Sequence, residues 1–193
     1  ATGVDGIFTD NPATGRAVTD EIFATERADS DDSAVWVDDA GDDHRIFTAM
    51  KEGGLRVYDL TGAELDRIAP EGVRYNNVDI LYATNGTDGD DLLVASDRAN
   101  DTLAIFLIGD EGDLLDVTSD DIPGTIFGVD DGEATAYGLA AYTSQLDGRN
   151  YVFVTQADGA QIAQLEIVQT GQTYTFEQVR LLTNLETARD KLL

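Results

Sequence analysis

At 193 residues and 20.7 kDa, the chain is long enough for one sizeable core or two small ones, and one domain is expected. Lys and Arg number 12 against 38 Asp and Glu, so a formal net charge of −26 makes nucleic acid and anionic membranes poor partners and cations good ones. The lack of Cys excludes disulfides and thiolate metal sites, and a lone histidine, His44, removes the basis for histidine-zinc or triad chemistry; any hydrolysis has to use metal, water, carboxylates and a few cations.

Residues 1–24 form a polar lead that could supply an outer strand. Its opening, ATGVDG, lacks the basic and apolar regions of a signal peptide, and no apolar run approaches the ~20 residues of a spanning helix, so a mature, soluble chain is expected. From Ser33 onward, runs rich in Val, Ile, Tyr and Phe alternate with Gly, Asp and Asn clusters, which predicts strands joined by tight turns. The first four are SAVWVD at 33–38, RIFTAM at 45–50, GLRVYDL at 54–60 and ELDRIA at 64–69. The next four are NNVDILYA from Asn76, DLLVASD from Asp91, TLAIFLI from Thr102 and LLDVT from Leu114. After a Gly- and Asp-rich connection at about 116–134, expected as a solvated loop, come AYGLAAYT from Ala136, YVFVTQA from Tyr151, QIAQLEIVQ from Gln161 and YTFEQVRLL from Tyr174. In the closing LETARDKLL, the spacing of Leu185, Ala188 and Leu192 suits a short helix.

The second strand of each set begins near residue 45, 91 and 151, spacings of 46 and 60 residues that approach the repeat of propeller blades. The predicted fold is therefore all-β: about three four-stranded antiparallel β-propeller blades at about 25–70, 75–118 and 135–183, with a tail at 184–193. Propellers close with typically 4–8 blades, so the two end blades are expected to present uncovered apolar faces. A second copy of the chain, a C-terminal half or another domain could cover them.

Blade symmetry sets Lys51 and Arg98 on one rim, each just after the second strand of its blade. Such a pair could bind phosphate, Arg as a planar fork and Lys as a compact charge, or could sit in ordinary ion pairs. Asp29, Asp31 and Asp32, placed immediately before a strand, could form a Ca²⁺ loop or a solvated charge run. Asn76, Asn77 and Asp79 make a neighbouring polar cluster in which Asp79 could equally brace a turn. Tyr142, Tyr137 and Tyr75 read as site, core or interface aromatics.

Five runs, in order, resemble β-propeller phytases: DDSAVWVD at 31–38, KEGGLRVYDLTG at 51–62, YNNVDI at 75–80, ASDR at 95–98 and YGLAAYTS at 137–144. The resemblance implies the N-terminal half, or an incomplete domain, of a six-bladed propeller that hydrolyses myo-inositol hexakisphosphate as a calcium-dependent 3-phytase. It implies catalytic and phosphate-binding roles for Lys51, Arg98 and Tyr142, with Asn77 lining the site. It implies Ca²⁺ ligation by Asp31 and Asp32, with the carbonyls of Ser33 and Val78, and a secreted or periplasmic location. In that family a calcium-activated water attacks phosphorus while Lys and Arg stabilise the transition state. Three departures stand out: Ala157 replaces a family Lys, Glu52 a second Lys of some members, and Ser33 a Pro. Competing expectations are a non-catalytic calcium- or phosphate-binding module assisting a complete phytase domain, two chains closing one six-bladed ring, and a lectin-like or scaffold propeller.

Overall fold

The computed structural model describes residues 28–38, 41, 44–84, 89–129, 131–133 and 135–183. The lead at 1–24 and the closing helix expected at 185–193 lie outside the described residues.

Among the described residues the fold is all-β, a partial propeller of twelve strands. Blade one holds β1 (Ala28–Trp36), β2 (Arg45–Lys51), β3 (Leu55–Tyr58) and β4 (Glu64–Ile68). Blade two holds β5 (Tyr75–Thr84), β6 (Asp90–Asp97), β7 (Thr102–Ile108) and β8 (Leu114–Asp116). Blade three holds β9 (Ala136–Thr143), β10 (Asn150–Gln156), β11 (Ile162–Thr170) and β12 (Thr173–Leu182). Each blade is an antiparallel meander, and a single pairing of Lys51 with Tyr75 links β2 of blade one to β5 of blade two.

Two apolar seams hold the blades together. Phe47, Ala49, Leu55 and Val57 of blade one meet Leu93, Ala95, Ala104 and Phe106 of blade two. The alternate residues of blade two, Leu92, Val94, Leu103 and Ile105, meet Val152, Val154, Ala163 and Leu165 of blade three. The period-two side-chain alternation thus sends β6 and β7 into both seams at once, which is why these strands read as continuous apolar runs. Each fully buried Leu or Ile in a seam contributes about 1.5–3 kcal/mol.

Three expectations are corrected. First, the acidic run does not precede β1 but lies inside it: Ala28 pairs with Lys51 and Asp32 with Ala49, with an irregularity between that accommodates the extra residues. Second, among the described residues the outward side of blade one is covered along its two middle strands. Ile46, Thr48 and Met50 of β2, and Arg56 and Tyr58 of β3, alternate with the seam residues and are buried too, so both faces of these strands are shielded. On blade three, by contrast, Val152 and Val154 are buried while Ala140, Tyr142 and Thr155 are exposed. Third, the connection between blades two and three is anchored rather than merely solvated. Val117 and Ile126 join the seam, and buried Asp101 accepts N–H bonds from Phe127 (2.8 Å), Gly128 (3.1 Å) and Ala136 (2.9 Å). The Asp101 carbonyl takes a further bond from the Ile126 N–H at 2.7 Å. Burial pushes the Asp101 carboxyl above its ordinary value against the pull of those donors.

Candidate functional site

The site is set by one row across three strands. Lys51 of β2 pairs with Tyr75 of β5, and Tyr75 pairs with Asp97 of β6. Two strand spacings, roughly 10 Å, therefore separate the strand ends that carry Lys51 and Arg98. Lys51 adopts a positive φ of 52° at the start of the Met50–Gly54 turn, which ends β2 on the rim. Below Arg98, the Asp97 carboxylate accepts from Arg74 N–H (3.0 Å), Ala99 N–H (3.1 Å) and Asn100 Nδ2 (2.6 Å), fixing the backbone at the end of β6.

Both cations meet carboxylates. Lys51 Nζ donates to Asp29 at 2.6 Å and stands 3.9 Å from Asp31, and the Asp29 bond, larger than the opposing effect of burial, raises the Lys51 pKa above its ordinary value. Arg98 is 11% exposed; its guanidinium lies 5.2 Å from the Tyr137 ring centroid, and Nη2 donates to the Glu133 carboxylate at 2.9 Å and carbonyl at 3.2 Å.

The acidic pair in β1 folds against β5. Asn76 Nδ2 donates to Asp31, while Asn77 Nδ2 (2.9 Å) and the Val78 N–H (3.2 Å) donate to Asp32. Asn77 N–H then donates to Ser96 Oγ at 3.0 Å, and Ser96 Oγ to the Tyr137 carbonyl at 2.6 Å. A continuous polar line thus runs from Asp32 through Asn77 and Ser96 to the backbone of the tyrosine that packs on Arg98. Ser33 sits opposite Thr48 in the β1–β2 ladder, and Val78 opposite Ala95 in β5–β6.

The donor set suits part of a calcium shell. Asp31 and Asp32 bring hard carboxylate oxygens, and Oδ1 of the fully buried Asn76 has no hydrogen-bond partner, leaving a carbonyl oxygen beside them. Ca²⁺ takes 6–8 oxygens, however, and among the described residues no group of three or more His, Cys, Asp or Glu side chains is arranged to hold a metal. Among the described residues these oxygens are fewer than a full Ca²⁺ shell.

The tyrosines separate cleanly. Tyr142 pairs with Tyr151 at the far end of β9, 48% exposed, five residues or about 17 Å along the strand from Tyr137. The structure therefore brings Tyr137, and not Tyr142, to Arg98. Tyr75 is a core residue, edge-on to Phe106 at 6.1 Å, and burial pushes its phenol strongly upward. Asp79 braces two blades, accepting from Ala141 N–H at 2.8 Å. Ala157 is buried, donating its N–H to the Thr135 carbonyl at 2.9 Å, so blade three presents no third cation at this place. Glu52 stands 3.9 Å from Arg74. The sequence carries no signal for Glu133, Asp101 and Ser96, because their roles depend on contacts between blades.

The family described as Phytase matches residues 8–186. The 3-phytase of Bacillus subtilis (strain 168) is 33% identical over 174 residues, an overlap that takes in 86% of this chain and 43% of that protein. The chain thus spans less than half the length of this curated relative.

Proposed function

The chain belongs to the phytase family, and from that membership we propose that its rim is the phosphate-binding wall of a phosphomonoester hydrolase acting on myo-inositol hexakisphosphate. The observation that carries this reading is that the strand ends bearing Lys51 and Arg98 share one row on the rim, with Asp31 3.9 Å from Lys51. In this reading Arg98, oriented by Tyr137, presents its fork to phosphate oxygens, Lys51 adds a second positive charge from the neighbouring blade, and Asn77 lines the floor. Asp31 and Asp32 are the calcium-facing residues, with Asn76 Oδ1 and the Ser33 and Val78 carbonyls as companions. Bound Ca²⁺ supplies charge neutralisation for phosphate and a more acidic water. Lys51 and Arg98 stabilise negative charge as it develops on the phosphoryl oxygens. The reading places the protein outside the cytoplasm, secreted or periplasmic.

A second reading is favoured by Ala157, which leaves blade three without a third cation: a non-catalytic calcium- and phosphate-binding unit that works beside a C-terminal propeller half, a second copy or a complete domain. Phosphate release from inositol hexakisphosphate, with calcium and then with chelator, separates the two. Calcium-dependent release that Arg98→Ala lowers by tenfold or more supports hydrolysis by this chain. Calcium-stabilised folding with phosphate binding but no release supports the accessory unit. If Arg98→Ala changes neither binding nor release, the rim is not a phosphate site.

A further inference from the structure

Arg98 is held on several sides. Tyr137 packs against its face, Glu133 takes Nη2 through both carboxylate and carbonyl, and Nε is buried without a hydrogen-bond partner. The turn that delivers Glu133 is itself built. Gly132 adopts a positive φ of 67°, the Glu133 N–H donates to Asp131 Oδ1 at 2.8 Å, and Thr135 Oγ1 donates to the Arg98 carbonyl at 2.6 Å. Asp101 pins the same connection from below through the N–H groups of Phe127, Gly128 and Ala136. Yet the Glu133 side chain is 70% exposed. A well-placed backbone thus presents a solvated carboxylate to a largely buried guanidinium.

We infer that Glu133 is an internal competitor for phosphate at Arg98, setting which anions can occupy the rim; the inference rests on the phosphate-site reading of Arg98. A carboxylate offers a single charge, whereas a phosphate monoester carries about −1.5 to −2 and matches the guanidinium fork with two oxygens. Phosphate esters displace Glu133, and weakly charged anions do not. Glu133 therefore lowers the apparent affinity of every anion that must displace it by the same factor, so that only anions with strong intrinsic affinity for Arg98 occupy the rim.

The test is calorimetric titration of inositol hexakisphosphate, free of divalent metal, into the intact chain and five variants. Glu133→Gln is expected to bind about two- to fivefold more tightly, the range of an exposed ion pair, and Glu133→Ala should match it. Glu177→Gln, which neutralises an exposed carboxylate on β12, controls for the −26 background and is expected to change affinity by less than half as much. Because the expected result is a gain of affinity, a folding defect cannot imitate it. Binding by both Glu133 variants that is absent, or no tighter than that of Glu177→Gln, overturns the inference. In an Arg98→Ala background the Glu133→Gln gain should vanish; its persistence would put the competition elsewhere and also overturn the inference. Arg98→Ala that binds as tightly as the parent would instead remove the phosphate-site reading itself.

Discussion

Arg98 owes its poise to neighbours from three different segments: Arg74 binds its backbone, Tyr137 its face and Glu133 its charge. The sequence shows the cation at a strand end but not these neighbours. Tyr137 and Tyr142 lie on one strand, and nothing local tells which end of β9 lies beside Arg98. Glu133 is hidden in a Gly- and Asp-rich stretch whose composition reads as solvent-facing. A different residue carries a pH prediction. Burial raises the Tyr58 phenol from 10.0 to about 12, so the folded state favours the neutral form. Its contribution to stability is fully present below pH 10.0 and is lost as pH rises through about 12. The melting temperature should hold level up to that window and fall within it, and Tyr58→Phe should fall less steeply; identical alkaline slopes would rule Tyr58 out as a cause.

Among the elements, the link between blades two and three contains a polar brace. Asp79 uses one carboxylate oxygen on its own strand, accepting from the Ile80 N–H, and the other across the seam on Ala141. Asp79→Ala leaves the Ala141 N–H without that acceptor and is expected to cost about 1–3 kcal/mol in denaturant unfolding. An unchanged midpoint would mean that the apolar seam alone aligns β9 with β5. Strand placement itself was largely legible, because β6, β7, β10 and β11 carry apolar runs bounded by turn residues. β1 was the exception. Its first half is polar, and its pairing with β2 passes through an irregularity, so alternation appears only from Ser33 onward. The connection after β8 hides its anchoring for the opposite reason: Ile122, Ile126 and Phe127 are too widely spaced to signal a strand, yet they pack against the second seam.

At the scale of the whole molecule, a net charge of −26 on 193 residues sets carboxylates against one another over distances that salt screens. Raising sodium chloride from about 0.01 M, where the Debye length is ~30 Å, to about 1 M, where it is ~3 Å, should raise the melting temperature by several degrees. A melting temperature that falls with salt would show that local ion pairs such as Lys51–Asp29 outweigh the general repulsion. Blade two also gives the molecule a mechanical centre. Its strands β6 and β7 alternate between the two seams, so blade one or blade three can come away by parting one seam, whereas blade two can open only by parting both. Lys51 belongs to an outer leaf and Arg98 follows directly on the keystone, so the rim comes apart when blade one peels off while Arg98, Tyr137 and Glu133 stay assembled.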